Sequence, residues 1–393
     1  MCGIIGILGN HEAAPILVEA LKRLEYRGYD SSGIATVESE GSIDRRRAVG
    51  KLVELQDKLV FQPLKGKVGI GHTRWATHGE PNEKNAHPHN SGAVSVVHNG
   101  IIENFLELRH ELRCDGYKPE TDTDTETIAM LCSKFIDEGH EPIDAARKTL
   151  SKLSGSFAIA MLFAGHENLM IAARSGSPLA VGYGKNEMYL GSDALALLPM
   201  TKKITYLEEG DLAILAREGV DIYDHLGNLV SRPIKYLNQS TNFYDKSGFN
   251  HFMEKEIYEQ PVALEKAIKS YICDKNVGAK INLLKELNFK EIPKIILIAC
   301  GTAYYACYVA KYWIEKLAKI PVEIDIGSEF RYREPPIEKG TAAIFVSQSG
   351  ETADTLAALR YCVGKAKIII SIVNVSAYYA CYVAKYWIEK LAK

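Results

Sequence analysis

The sequence lacks several patterns that would direct it to other classes of protein. Its eight cysteines are scattered with no CxxC pair, so neither a zinc site nor a disulfide framework is indicated. No apolar run approaches the roughly 20 residues that a membrane helix needs. The apolar start has no basic segment before it, which makes it a poor signal peptide. These absences predict a cytoplasmic protein with reduced thiols and no membrane partner.

The chain also lacks a marked excess of either charge. Its formal net charge is -2, with 47% apolar and 24% charged residues. This balance gives no indication of a nucleic acid as a partner. The length of 393 residues predicts two or three globular domains with large cores.

The first three residues, Met1-Cys2-Gly3, place a cysteine directly behind the initiator. Removal of Met1 would leave Cys2 with a thiol and a free α-amine, whose unperturbed pKa values are about 8.5 and about 8. Such an amine can take the thiol proton directly or through a water, so the nucleophile would carry its own base. The apolar tract from Ile4 to Leu8 predicts a buried strand that holds this terminus. The alternative is that Cys2 is an ordinary second residue.

Two kinds of periodicity divide the chain. From Ser31 to about Leu215, short two-residue alternation predicts strands with a few helices between them, a layered α+β arrangement. Residues 216–250 are polar and predict a linker. Beyond it, continuous apolar strands near 294–300, 342–346 and 367–373 alternate with helices. That alternation predicts a parallel sheet covered on both faces.

Two polar stretches of the first part could serve a reaction. Gly71 to Gly79 follows a strand as a predicted loop, in which Arg74 can bind a carboxylate at two points and Trp75 can act as a lid. The alternative is a surface loop. Asn99-Gly100 follows a strand and offers an amide and a backbone N–H to an oxyanion, although an Asn-Gly turn is equally ordinary.

Two further stretches precede helices. Thr123 and Glu126 have capping-box spacing, and an acid in this stretch can also hold an ammonium group. No histidine or calcium-loop glycine accompanies these acids, so no metal is expected. Ser347 to Thr352 lies between a strand and a helix, as Cys300 to Thr302 does. Hydroxyls and backbone N–H groups there form an anion site, or simply helix caps.

A perfect repeat has no ordinary explanation. Residues 303–319 read AYYACYVAKYWIEKLAK, and residues 377–393 are identical. Repeat architectures show several degenerate copies at a fixed period, which this chain does not. No function is assigned to the second copy.

Eleven motifs in order resemble the glutamine-dependent glucosamine-6-phosphate synthases, also called glutamine–fructose-6-phosphate aminotransferases (isomerising). The motifs are MCGI, RLEYRGYDS, HTRWATHG, NAHPH, VVHNGIIEN, TDTDTE, AARSGSPL, EKEIYEQP, ACGT, SEFRYR and SQSGETADT. The resemblance runs from residue 1 to about Val375. It implies an αββα N-terminal-nucleophile glutaminase domain over 2–218 and a linker with a helical lead-in over 219–285. A partial α/β sugar-isomerase (SIS) domain would follow over 286–376, then the copied segment.

The resemblance also implies roles for individual residues. Cys2 would attack the glutamine side-chain amide, with Asn99 and Gly100 holding the oxyanion. Arg74 and Asp124 would bind the α-carboxylate and α-ammonium of glutamine. The residues expected to line or close this pocket are Thr77, His78, Arg27 and Trp75. Those expected to bind the phosphate of fructose 6-phosphate are Thr302, Ser347, Gln348, Ser349 and Thr352. The family precedent suggests a homodimer, and no cofactor is implied.

Two departures from the family pattern matter. Ala303 stands where the family usually has serine, which removes one hydroxyl and about 1–2 kcal/mol of phosphate binding. Family members also continue with a second SIS domain that supplies Glu, His and Lys for isomerisation and imine chemistry. Three hypotheses follow: the full amino-sugar reaction, a glutaminase without a sugar acceptor, and a non-catalytic sugar-phosphate binder. The isolated chain is expected to hydrolyse glutamine slowly without making glucosamine 6-phosphate.

Overall fold

A computed structural model describes residues 2–76, 78–237, 248–251, 254–255, 257–262, 292–347, 350 and 352–373. Thr77, Gln348, Ser349 and the copied segment 377–393 lie outside the described residues. The chain divides into two compact units, Met1–Tyr244 and Asp245–Lys393. In the part of the chain that the structure describes, no helix is long and apolar enough to span a membrane.

In the first unit, the residues that the structure describes form two antiparallel sheets of eight and seven strands. The order in the first sheet is β15 (Ile234–Tyr236), β11 (Lys203–Tyr206), β9 (Ala180–Tyr183), β10 (Met188–Gly191), β1 (Gly3–Leu8), β4 (Val68–Arg74), β2 (Ser31–Val37) and β3 (Ile43–Val49). The order in the second is β14 (Leu229–Val230), β13 (Gly219–Tyr223), β12 (Leu212–Ala216), β8 (Met170–Ser175), β7 (Gly155–Phe163), β6 (Val94–Ile102) and β5 (His89–Ser91).

The helices form the outer layers. Helices α1 (Ala13–Lys22) and α2 (Leu52–Phe61) contact the first sheet, whereas α3 (Phe105–Cys114), α4 (Asp124–Asp137) and α5 (Pro142–Lys152) form a second core with the other sheet. A short helix, α6 (Ala194–Leu197), follows β10. The inner faces of the two sheets share a core of fully buried side chains that includes Ile4, Ile70, Val97, Ala160 and Leu162. The predicted αββα layering is therefore confirmed.

Strand β1 determines where Cys2 lies. All six of its residues are buried, as the apolar tract predicts, and it pairs with β4 on one side and β10 on the other. Gly3 lies opposite Thr73 on β4. Cys2 therefore stands at the edge of the sheet interior, beside the point where β4 ends.

Several sequence-based boundaries differ from the structure. His72 to Arg74 belong to β4, so the predicted loop begins only at Trp75. Asn99 and Gly100 lie inside β6 rather than after it, and the Asn-Gly turn is therefore wrong. Strands β13 to β15 pair within the two sheets of the first unit, which extends this unit past the expected end at residue 218.

The described residues of the second unit form a parallel sheet of four strands, as the continuous apolar tracts predict. The order is β17 (Val322–Ile326), β16 (Ile295–Ala299), β18 (Ala342–Ser347) and β19 (Ile368–Val373). The helices that alternate with these strands are α7 (Thr302–Ala318), α8 (Gly327–Arg333) and α9 (Ala353–Cys362). Apolar side chains from the sheet form two separate cores, one with α7 and one with α8 and α9.

Gly33 on β2 packs closely against the backbone of the segment that contains His87. A Cβ atom at this position would lie 2.1 Å from the carbonyl oxygen of His87. Gly33→Ala should therefore lower the free energy of unfolding by about 1–3 kcal/mol, because the backbone must move. Gly219→Ala on β13 is the control, since nothing lies within 4 Å of its Cβ. Urea denaturation followed by circular dichroism measures both, and equal midpoints would contradict this packing.

Candidate active site

The thiol and the backbone carbonyl group of Cys2 both contact other parts of the first unit. The backbone N–H of Trp75 donates to Sγ of Cys2 at 3.2 Å, and Sγ lies 3.4 Å from the carbonyl oxygen of Trp75. The carbonyl oxygen of Cys2 accepts from Nδ2 of Asn99 at 3.2 Å and from Nη1 of Arg27 at 3.4 Å. The thiol is thereby positioned from two sides, although only one residue precedes it.

The surroundings of Cys2 favour the uncharged thiol. Burial raises the pKa of this thiol above its ordinary value, while the hydrogen bond from the Trp75 N–H acts in the opposite direction. A thiol with a raised pKa is a poor nucleophile at neutral pH, because the thiolate is the attacking species. A reaction in which this thiol attacked a substrate would therefore need a base that removes its proton.

Asn99 contacts Cys2 from the second sheet, and Gly100 follows it on β6. The amide of Asn99 is buried and uses its two ends differently, with Nδ2 toward Cys2 and Oδ1 2.9 Å from Nε2 of His72. Gly100 has φ +122°, and a Cβ there would lie 1.9 Å from the carbonyl oxygen of Ser156. A side chain at this position would collide with the carbonyl oxygen of Ser156, so only glycine fits here.

Arg74 organises the loop that follows β4. Its guanidinium is buried and donates to the carbonyl oxygens of His78, Gly79 at 3.1 Å and Glu80 at 3.3 Å. Asp30 lies 4.0 Å from Nη1 of Arg74 and accepts from the N–H of Ala76 at 2.5 Å. The loop thus passes close to Cys2 because Arg74 and Asp30 hold its backbone.

Asp124 begins α4 and is bound to the end of β6. Its Oδ2 accepts from the N–H of Ile102 at 2.9 Å, and the side chain is buried. Thr123 caps the helix, as predicted, by accepting from the N–H of Glu126. The carboxylate of Glu126 does not return to Thr123. It accepts from the N–H groups of Glu120 and Thr121 at 2.8 and 2.9 Å.

The remaining expected pocket residues lie around this centre. The Trp75 side chain is 55% exposed, and its ring lies against Gly28, where a Cβ would meet it at 2.6 Å. The imidazole of His78 packs edge-on against Phe105 with ring centroids 5.2 Å apart. Arg27 forms a buried ion pair of 3.0 Å with Asp193. The structure therefore brings Cys2, Arg27, Trp75 and Asn99 into direct contact, whereas Asp124 is reached through β6.

In the second unit, Thr302, Ser347 and Thr352 are the described residues whose hydroxyls are expected to bind phosphate, and they lie at or after the carboxyl ends of adjacent strands. Ala299 on β16 is level with Val346 on β18, so Thr302 and Ser347 leave the sheet at the same edge. Oγ of Ser347 accepts from the N–H of Gly350 at 3.0 Å and lies 3.2 Å from Oγ1 of Thr352. Thr302 begins α7 and is exposed. The hydroxyls of Ser347 and Thr352 and the N–H of Gly350 thus lie together at this edge.

Comparison with known proteins agrees with both units. A family model described as a glutamine amidotransferase domain matches residues 72–199, and one described as a SIS domain matches residues 288–392. The glutamine–fructose-6-phosphate aminotransferase (isomerizing) of Brucella suis is 54% identical over 376 residues, which cover 96% of this chain. That of Gluconobacter oxydans is 52% identical over 377 residues, 95% of this chain. The chain is a homologue of the glutamine–fructose-6-phosphate aminotransferases. It spans 62% of the length of each of these two relatives.

A solved structure of an amidotransferase shares the fold. Glutamine phosphoribosylpyrophosphate amidotransferase from B. subtilis matches with a TM-score of 0.52 and 19% identity, over 95% of this chain and 81% of that chain. With the two domain matches, this likeness confirms the predicted fold class of an amidotransferase domain followed by a parallel-sheet SIS domain. The resemblance to the glutamine–fructose-6-phosphate aminotransferases that the motifs indicated is confirmed by these relatives.

Sequence reasoning missed a group of buried histidines beside the candidate site around Cys2. His72 stacks on His87 with ring centroids 4.2 Å apart, and His87 meets His89 at 4.7 Å. His98 and His87 both contact Oγ1 of Thr125, at 3.0 and 2.7 Å. The signal was the continued alternation of β4, in which His72 and Arg74 follow Ile70 on one face.

Asp193 is a second residue that the motifs did not indicate. Its Oδ2 accepts from the hydroxyl of Tyr26 at 2.6 Å and from Nη2 of Arg27 at 3.0 Å, while Oδ1 caps the N–H of Leu195 at 3.0 Å. Asp193 thus connects the start of α6 to the arginine that contacts the Cys2 carbonyl. Among the described residues, no group of three or more His, Cys, Asp or Glu side chains is arranged to hold a metal ion.

The buried histidines should make the first unit sensitive to acid. Burial lowers the pKa of His72 to about 3, and it also lowers the pKa values of His87, His89 and His98. In the unfolded chain these groups return to about 6.5. Below that pH the unfolded state binds protons that the folded state does not, so the free energy of unfolding falls as the pH falls.

We expect His72 alone to cause a loss of up to about 1.4 kcal/mol per pH unit between pH 6.5 and pH 4, and the other three histidines to add to the loss in the same direction. Urea denaturation at a series of pH values measures this slope. His87→Phe keeps a ring against His72 and should reduce the slope, while His110→Gln on the surface serves as the control. A stability that stays constant from pH 7 to pH 5 would contradict the buried neutral imidazoles.

Proposed function

We propose that the first unit hydrolyses the side-chain amide of glutamine with Cys2 as nucleophile. The observation that carries this proposal is the contact of Asn99 and Trp75 with Cys2 at the start of the central strand. Homology to the aminotransferases over 96% of the chain supports the same chemistry.

The α-amine of Cys2, once Met1 is removed, acts as the base in this proposal. Burial keeps the thiol protonated, and an unperturbed α-amine of pKa about 8 can accept its proton. The thiolate adds to the amide carbon of glutamine, and the carbonyl oxygen becomes an oxyanion. Nδ2 of Asn99 and the N–H of Gly100 donate to it. Ammonia then leaves with a proton from the amine, and water hydrolyses the thioester to release glutamate.

The polar groups around Cys2 recognise the other end of glutamine. Arg74 supplies positive charge for the α-carboxylate, and Asp124 supplies negative charge for the α-ammonium. Thr77 and His78 line the pocket, while Arg27 and Trp75 close it over the thiol and direct the ammonia. Both charged residues are buried, so an ion pair with substrate there is screened little by solvent.

We further propose that the ammonia serves amino transfer to fructose 6-phosphate, the reaction for which the relatives are named. The hydroxyls of Thr302, Ser347, Ser349 and Thr352 and the amide of Gln348 bind the sugar phosphate at the edge of the parallel sheet. The proposal includes a homodimer in the cytoplasm. A glutaminase without a sugar acceptor is the second candidate, because the chain spans 62% of the relatives' length. An assay for glutamate and amino sugar, with and without fructose 6-phosphate, distinguishes the two.

Loss of the Cys2 thiol tests the nucleophile. Cys2→Ala should abolish glutamate release from glutamine, because no other group replaces the attacking sulfur. Cys114→Ala removes an exposed thiol and should leave the rate unchanged. Protein that retains Met1, verified by mass spectrometry, should be inactive for want of the free amine. Undiminished glutamate release from either Cys2→Ala or the Met1-retaining protein would overturn the mechanism.

Loss of hydroxyls tests the sugar-phosphate site. Ser347→Ala and Thr352→Val should each weaken binding of fructose 6-phosphate about tenfold, since hydrogen bonds to charged groups contribute roughly 1.5–3 kcal/mol. Thr341→Val is the matched control. Thr341 directly precedes β18, at the end opposite to Ser347, and its buried hydroxyl has no hydrogen-bond partner. Titration calorimetry measures the affinities. An effect of Thr341→Val as large as that of Ser347→Ala would contradict the assigned edge.

A further inference from the structure

His72 contacts two oxygen acceptors with one nitrogen. Its Nε2 lies 3.0 Å from the carbonyl oxygen of His98 and 2.9 Å from Oδ1 of Asn99. A backbone carbonyl can only accept, so Nε2 must carry the proton and donate to both oxygens. In this tautomer the other ring nitrogen, Nδ1, carries a lone pair and no proton. It is buried and has no hydrogen-bond partner, which agrees with a nitrogen that has no proton to donate.

The same logic determines which way the Asn99 amide faces. At its other end the amide meets the carbonyl oxygen of Cys2, 3.2 Å from Nδ2, which again can only accept. Donation from His72 to Oδ1 and donation from Nδ2 to Cys2 therefore require the same orientation. A reversed amide would place its oxygen against the Cys2 carbonyl and its NH₂ group against the N–H of His72. Both contacts would be repulsive.

The ring of His72 is itself held in place. It is fully buried and stacks on His87, whose Nε2 lies 2.7 Å from Oγ1 of Thr125. Ring rotation is opposed by the contacts of Nε2 with two oxygens on β6. The neutral imidazole thus forms a rigid donor behind Asn99, on the side away from Cys2.

We propose that His72 is a positioning residue for glutamine hydrolysis, which holds the Asn99 amide with its NH₂ group toward the oxyanion. This inference rests on the proposed function of Cys2. His72 does not touch substrate, because Asn99 lies between it and the reacting atoms. Its donation to Oδ1 also polarises the amide, which makes the Nδ2–H group a stronger donor to negative charge. The effect should appear in the transition state, where that charge develops, and not in the binding of glutamine.

Two isosteric replacements separate the donor from the bulk of the side chain. His72→Gln keeps an NH₂ group about as far along the side chain as Nε2, whereas the shorter amide of His72→Asn ends near the position of Nδ1. We expect His72→Asn to lower kcat for glutamine hydrolysis roughly tenfold to a hundredfold with little change in KM. His72→Gln should restore most of that loss. Titration of the active sites with an electrophilic glutamine analogue gives the concentration of folded sites, so that kcat can be calculated per folded site.

A double-mutant cycle with Asn99→Ala tests whether His72 acts through Asn99. In the Asn99→Ala background, His72→Asn should cause no further loss of kcat. An equal loss in both backgrounds, or His72→Asn indistinguishable from wild type, would overturn the inference, and so would a loss confined to KM. The wild-type chain separates the two proposals. Absence of glutamate release from wild type refutes the proposed function, whereas wild-type activity with an unaffected His72→Asn refutes only the role of His72.

Discussion

The pairing of β1 with β4 and β10 is the constraint on which the site depends. Cys2 precedes the first paired residue, Gly3, which lies opposite Thr73. A shift of this register by one residue would exchange the two faces of the strand and move Ile4 out of the core between the sheets. The same register brings the end of β4, and therefore the backbone of Trp75, against the thiol. The position of Cys2 is thus a consequence of apolar burial along the strand that follows it.

The interior beside Cys2 contains an unusual number of polar groups that carry no charge. Burial raises the pKa of the thiol and lowers those of four histidines, so both kinds of group are neutral at pH 7. None of these four imidazoles hydrogen-bonds to Sγ of Cys2. His72 is connected to Cys2 through Asn99, whose Nδ2 donates to the carbonyl oxygen of Cys2. Such an environment agrees with the α-amine as base and with histidines that orient amides and hydroxyls. It also makes each donor more effective toward negative charge, because little water competes with it.

In the second unit, a parallel sheet brings the polar residues together at one edge. Parallel strands direct all their carboxyl ends to one side of the sheet, so the loops after β16 and β18 are neighbours without any specific contact to bring them together. Oγ1 of Thr355 nevertheless reaches Sγ of Cys300 at 3.5 Å, which joins the loop after β16 to the first turn of α9. The methyl group of Ala303 adds no donor to this edge, so the hydroxyls of the other loop carry more of the proposed phosphate binding.

Much of the fold follows from local pattern. The apolar tracts predict β1, β16, β18 and β19, and the spacing of Thr123 and Glu126 predicts the start of α4. The boundaries near Arg74 and Gly100 were not predictable, because a strand whose residues point into a polar interior reads as a loop. Asp193 could not be identified either, since no motif relates it to Arg27, 166 residues away.

The sequence by itself determined which chemical groups this protein has at its chain start and in its loops, because residue type and short-range spacing are written in it directly. Only the tertiary structure decided how those groups face one another. The tautomer of His72, the orientation of Asn99 and the link from Asp193 to Cys2 each depend on atoms from strands and turns that are distant along the chain. Hydrogen-bond direction is a property of pairs in space, and the packing of the two sheets brings those pairs together.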